Sequence, residues 1–407
     1  MKKIFALLLV SLMAALPLIA SAEVTLTMGS WRTDDVEQMT NLLNAYKEES
    51  GVEIIFQPTN PPDYNATLRL QLESGTGPDL IYARSFETGR NWYADGYLYN
   101  CTDIPGLQEN FTATSMEPWQ NEDGTMFAVP FIAVSHSVYY NMDIFAANNL
   151  EIPTTWEEFI QVCETLKAAG ITPLANGIAD NWDILEVAFL NMLPNYVGGV
   201  EERVKYESGE KPMNDEAFVQ AYTDFASLAP YLDPGFPAVT YNDSQVMFAT
   251  GRAAMFLDGS WSCGTYGDVD FEWSVFAVPA REGSETLVCF HPDLAITMNN
   301  ATEYQEECKA FLAWLCTVEG ATIAAQLAPA GFFPMINAPI SIEEPHANAI
   351  LALNAGKETD ARFIWSKLTD LYVPMVNELN ALLKGETTPQ EAADAVNALA
   401  EEIIAKR

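Results

Sequence analysis

The chain has 407 residues, 49% apolar and 19% charged, which is enough to bury the cores of two domains and too apolar for wholesale disorder. Its 20 Lys and Arg against 56 Asp and Glu give a formal charge of −36. That charge repels nucleic-acid phosphates and anionic lipid, so a nucleic-acid role is excluded, and neutral or cationic ligands are favoured.

In chain order, Met1-Lys2-Lys3, the apolar run Ile4 to Ile19 and the small-residue site Ala20-Ser21-Ala22 predict a signal peptide (1–22) cleaved before Glu23. The run is shorter than the ~20 residues a membrane span needs, and Pro17 interrupts it. No cysteine lies beside the cleavage site to accept a lipid. The expected product is exported, periplasmic and monomeric, with a charge of −38 from 18 Lys and Arg against 56 acids.

Val24 to Met28 alternates like a strand. Asp35 to Glu49 is apolar at helical spacing (Val36, Met39, Leu42, Leu43, Tyr46) and stops at Gly51. Val52 to Gln57 is a second strand, Pro61-Pro62-Asp63 opens a second helix, and Asp79 to Ala83 is a third strand. This is the βαβ pattern of a parallel sheet, whose ligands bind beyond the carboxyl ends of the strands. That directs attention to Trp31 and Arg32 after the first strand and to Arg84 after the third. Thr155-Trp156-Glu157-Glu158 and Thr388-Pro389-Gln390-Glu391 read as capping boxes of later helices. Helical patterns recur near 183–193, 214–228, 302–317 and 366–383. Strands are expected at 253–257, 272–278 and 293–298. Gly320 to Ile342 is uncharged, but Pro329, Pro334 and Pro339 rule out a spanning helix.

Six cysteines show no motif spacing, so buried thiols are expected. Cys308 and Cys316, eight residues apart on one helical stretch, are about 12 Å apart by helical rise and too far to pair. The three histidines (136, 291, 346) are far apart in sequence and no C-x-x-C is present, so neither a metal nor another cofactor is expected.

Several segments together resemble the extracellular solute-binding proteins of ABC importers, specifically the maltose-binding-like, sugar-binding branch. They are Ser74-Gly75-Thr76-Gly77-Pro78-Asp79-Leu80, Ala94-Asp95-Gly96-Tyr97-Leu98, Asp123-Gly124-Thr125-Met126-Phe127-Ala128-Val129-Pro130, Val138-Tyr139-Tyr140-Asn141-Met142-Asp143, Pro153 to Phe159 and Gly251-Arg252-Ala253-Ala254-Met255. The resemblance covers essentially the whole mature chain. It implies an α/β, two-lobed periplasmic-binding-protein fold (type II) with the ligand cleft between hinge-linked lobes. The N-terminal lobe would take 23–131 and 283–332, the C-terminal lobe 132–282 and 333–407. It also implies a carbohydrate ligand and ABC permease subunits as partners. One departure stands out: His291-Pro292 occupies a place where the family often has Gly-Gly, which puts bulk in the cleft.

A sugar needs aromatic rings for its C–H faces and charged or amide groups for its hydroxyls. Trp261, in Gly259-Ser260-Trp261 at the end of a strand, matches the family's Gly-x-Trp position, and Gly259 is expected to let the backbone turn. Asp258 is placed to accept hydroxyl protons or to cap the following helix. Trp182, Trp31, Arg32, Arg84, His291, Asp293 and Arg362 complete the candidate ligand set. Each has a bland alternative: core or helix-start packing for the tryptophans, ion pairing for the arginines, an ordinary hydrogen bond for the histidine. No catalytic residues are expected. Ser260-Trp261-Ser262-Cys263-Gly264 lacks the first glycine of a nucleophile elbow, and neither HExxH, a Walker loop nor GxGxxG is present. The competing functions are a secreted glycan hydrolase and the same scaffold binding a cationic peptide or polyamine.

Overall fold

The structure, a computed structural model, describes residues 24–180, 182–355, 359–360 and 363–407. The expected signal peptide and the candidate Arg362 lie outside the described residues.

Three parallel strands open the chain: β1 (Thr25–Ser30), β2 (Glu53–Pro58) and β3 (Leu80–Ala83), with β1 between the other two. Helices Val36–Ser50 and Pro61–Ser74 connect them, and each ends on a left-handed glycine, Gly51 or Gly75. β4 (Val129–Asn141) follows, then β5 (Thr172–Leu174), β6 (Ala253–Gly259), β7 (Trp273–Phe276) and β8 (Val288–Met298). The sheet runs β2-β1-β3-β8-β4-β6-β5. β8 is antiparallel to both β3 and β4, β6 is antiparallel to β4, and β5 is parallel to β6. Two-residue strands β9 (Phe333–Pro334) and β10 (Thr359–Asp360) pair with β4 and β8 respectively.

β4 passes from one hydrophobic cluster to another. Val129, Phe131, Ile132 and Val134 belong to a cluster built on β1, β3 and Phe311, whereas Val138 and Tyr140 belong to one built on Phe159, Phe189, Phe218 and Leu379. A third cluster, around Tyr139, Phe248, Phe256, Tyr266 and Trp273, covers the other face of the second half. All thirteen residues of β4 are buried, including Ser135, His136 and Ser137 at the crossing. Beside it, β8 carries His291 and Pro292 at a register irregularity opposite Ala133 and Val134. A bulge there tolerates a proline that cannot donate to the ladder.

The capping boxes at Thr155 and Thr388 form as the sequence predicts, and a third forms at Thr240 with Asp243. All six cysteines are buried free thiols; Cys308 lies in helix Gln305–Leu315 and Cys316 just beyond it. Among the described residues no single helix is long and apolar enough to cross a membrane.

Candidate ligand-binding site

The polar residues of the crossing are set from three directions. Ser260 Oγ donates to the Gly331 carbonyl at 2.6 Å and accepts the Ser135 N–H at 3.0 Å, so β4, the end of β6 and the 331 turn share one hydroxyl. Gly331 has φ +86°, and a Cβ there would sit 1.9 Å from the Ser260 carbonyl oxygen, so glycine is required twice over.

Trp261 follows β6 in a short 3₁₀ segment, Ser260–Tyr266, and is half-buried. Although it extends from the second half, its side chain packs against the first cluster. Its Nε1–H donates to Tyr241 Oη at 2.7 Å, and Tyr241 Oη in turn lies 3.0 and 3.2 Å from the two carboxyl oxygens of Asp258. Trp182, also half-buried, stands 4.3 Å from the Tyr241 ring and 6.2 Å from the Trp261 ring. Two tryptophans are therefore held near one tyrosine, and that tyrosine is anchored on a buried acid. The glycine before them has a different purpose from the expected one. Gly259 is extended (φ −92°), and a Cβ would lie 2.2 Å from the Trp261 ring, so glycine makes room for the indole instead of permitting a turn.

Asp258 is fully buried and caps no helix; its Oδ1 accepts the Gly259 N–H at 2.8 Å. Burial pushes its carboxyl up to about 7, while Ser262, the Gly259 N–H, Tyr241 and the charge of Arg32 pull the other way. Asp183, buried in the same region and hydrogen-bonded by Asn176 at 3.2 Å, is held well above the carboxylate range by burial and then by Asp258.

From the first half, Arg32 is clamped by Asp35 at 2.5 and 2.9 Å, lies 5.3 Å from the Phe332 ring centroid, and its charge reaches Asp258 and Tyr241. His291, 3% exposed, meets His136 with the two Nε2 atoms 3.3 Å apart, and the His136 ring stands edge-on to Trp261 at 5.3 Å. Asp293 is half-buried in β8. The fold thus gathers Trp261, Trp182, Asp258, Arg32 and His291 around the crossing.

Trp31 and Arg84 belong to a different arrangement. Trp31 is buried edge-on against Tyr64 and Tyr82, and the Arg84 guanidinium covers it at 3.9 Å while donating to Asn65 Oδ1 at 2.8 Å. Trp31 is therefore neither an exposed loop residue nor an open platform, and the Arg84 guanidinium makes a cation–π contact with its ring. A depression of about 430 Å³ lined by Tyr46, Glu49, Asn110 and Trp314 contains none of the crossing residues.

Tyr241, Gln245 and His136 were missed from sequence. Tyr241 and Gln245 sit on helix Tyr241–Ala249, whose start was signalled by Thr240-x-x-Asp243. Sequence separation also misled the reading of the histidines: 155 positions divide His136 from His291, yet adjacent strands bring their rings together.

A family model described as bacterial extracellular solute-binding protein matches residues 41–350. The chain belongs to this family. Its members are binding proteins of the cell exterior, so the protein is an exported solute-binding protein. A multiple sugar-binding protein of Streptococcus mutans is 24% identical over 331 residues, covering 78% of this chain and 76% of the relative. A maltotriose-binding protein of Pyrococcus abyssi is 29% identical over 244 residues, 58% of this solute-binding protein and 49% of the relative. The solved bacterial solute receptor AcbH, with an exclusive preference for b-D-galactopyranose, superposes with a TM-score of 0.84 at 18% identity, covering 94% of this chain and 100% of the receptor. A chitin oligosaccharide binding protein gives 0.80 at 22% identity over 94% and 99%. At such identities the superpositions establish the shared two-lobed α/β solute-binding fold.

Proposed function

We propose that the protein is the carbohydrate receptor of an ABC importer, holding a sugar at the strand crossing and delivering it to a membrane permease. The observation that carries this reading is the pair of half-buried tryptophans, 261 and 182, ordered around Tyr241 and Asp258 with Arg32 facing them from the other half. Flat rings accept the apolar face of a sugar, and the charged and amide groups beside them accept or donate to hydroxyls. Relatives named for multiple sugars and maltotriose support the class of ligand.

In this reading the first lobe comprises 23–131 and 283–332, the second 132–282 and 333–407, and the leader 1–22 is removed. The division of the apolar clusters along β4 supports that partition. The receptor acts as a monomer without catalysis. Ligand touching both lobes stabilises the closed form by its differential affinity.

A thermal-shift panel of neutral mono- and oligosaccharides against polyamines and basic peptides tests the proposal. A concentration-dependent rise in melting temperature with a sugar, and unaltered sugar recovered after incubation, is the expected result. Stabilisation by amines alone would transfer the scaffold to cationic ligands, and release of shorter glycans would make it a hydrolase.

A further inference from the structure

His136 on β4 and Cys289 and His291 on β8 are all buried, and their ligand-capable atoms lie within 4.8 Å of one another. The strand pairing explains the convergence. The ladder joins Val134 to His291 and Ser135 to Phe290, which sets His136 beside Cys289. Cys289 and His291 are two residues apart on one strand and share a face. Cross-strand neighbours share that face too, so the three side chains project together.

The histidine chemistry is specific. His291 Nδ1 lies 2.9 Å from the Pro292 carbonyl oxygen, which can only accept. In the neutral ring the proton is therefore on Nδ1, and Nε2 presents a lone pair towards His136 Nε2 at 3.3 Å. A backbone carbonyl holding the remote ring N–H is the usual support of a metal-ligating imidazole. Two nitrogens each about 2.05 Å from a tetrahedral ion stand about 3.3 Å apart, the spacing observed here. Bringing Sγ to the ~3.6 Å that a tetrahedral N–S edge requires takes a movement of the order of 1 Å.

We propose that His136, Cys289 and His291 form a binding site for a borderline-soft divalent ion of the zinc class, with the three side chains as ligands and a fourth position for water. On binding, the Cys289 thiol gives its proton to solvent as the sulfur–metal bond forms, and both imidazoles bind as neutral rings. The ion bridges β4 to β8 at the crossing and fixes the His136 ring against which Trp261 stands. The inference rests on this cluster alone and is independent of the carbohydrate reading.

The test is titration of the chelator-treated mature chain with Co²⁺ and then Zn²⁺. One Co²⁺ per chain is expected, giving the visible absorption of a tetrahedral site together with a thiolate-to-cobalt charge-transfer band, both lost as Zn²⁺ displaces it. Cys289→Ser should abolish the charge-transfer band, and His291→Gln should weaken binding by at least ~100-fold. Absence of saturable tetrahedral binding in the wild-type chain would overturn the proposal, whatever the variants do. So would a charge-transfer band that survives in Cys289→Ser, because another of the six thiols would then be the ligand.

Discussion

Tyr241 Oη is the atom on which the candidate site turns. It accepts from Trp261 Nε1 at 2.7 Å and Gln245 Nε2 at 3.2 Å, meets Ser262 Oγ at 2.8 Å and reaches the Asp258 carboxyl. Tyr241→Phe leaves the Trp261 N–H and a buried acid without this partner. A loss of about 1–3 kcal/mol of stability is expected, together with weaker sugar binding, because Trp261 is no longer oriented. Urea melts and calorimetry on the same variant read the two effects; unchanged affinity would detach Tyr241 from the site. Asp258 makes a prediction about pH. Its proton is held more tightly in the folded chain, at about 7, than at the ordinary 3.8. Between those values the unfolded chain binds fewer protons, so this group's contribution to stability falls as pH rises from about 4 to about 7 and is level above. The loss is on the order of 4 kcal/mol. Asp258→Asn should flatten that slope in urea melts taken across the interval. An unaltered slope would assign the effect to another group.

At the scale of elements, the crossing depends on close backbone approach. Gly331→Ala places a methyl against the Ser260 carbonyl at a left-handed position, so a destabilisation of about 1–3 kcal/mol or more is expected by urea melt. Wild-type stability in that variant would mean that the 331 turn is not locked to Ser260. The βαβ start was legible because amphipathic helices and their terminal glycines leave a periodic signature, and the boxes at Thr155 and Thr388 because capping has a fixed spacing. β4 left no such trace. A strand buried on both faces shows no alternation, and Ser135-His136-Ser137 interrupts its apolar run, though these polar residues are the ones that mark the crossing. The sequence shows β8 only over 293–298; the bulge lets the strand carry Pro292 and begin at Val288. Trp261 and Asp258 stand out as candidates because they lie at a strand end that a motif points to. Trp31 shared that kind of position, but Tyr64, Tyr82 and Arg84 enclose it, and only the packing reveals this.

For the whole molecule, a ligand that bridges the halves of the chain must raise its resistance to unfolding. At a free sugar concentration 100 times Kd, the unfolding free energy should increase by about 2.7 kcal/mol, read as a shift of the urea midpoint. The most direct measurement is a calorimetric titration of the wild-type chain and Trp261→Ala with the sugar that most raises the melting temperature, backed by ligand-free urea melts of both. Trp261 is half-buried and packs at the edge of the first cluster, not within it. Its removal should therefore weaken binding by about 2 kcal/mol or more, some thirty-fold, while costing less stability than the ~3–5 kcal/mol typical of a core tryptophan. Equal sugar affinity in the two proteins, with a large loss of stability in the variant, would contradict a carbohydrate site at the crossing.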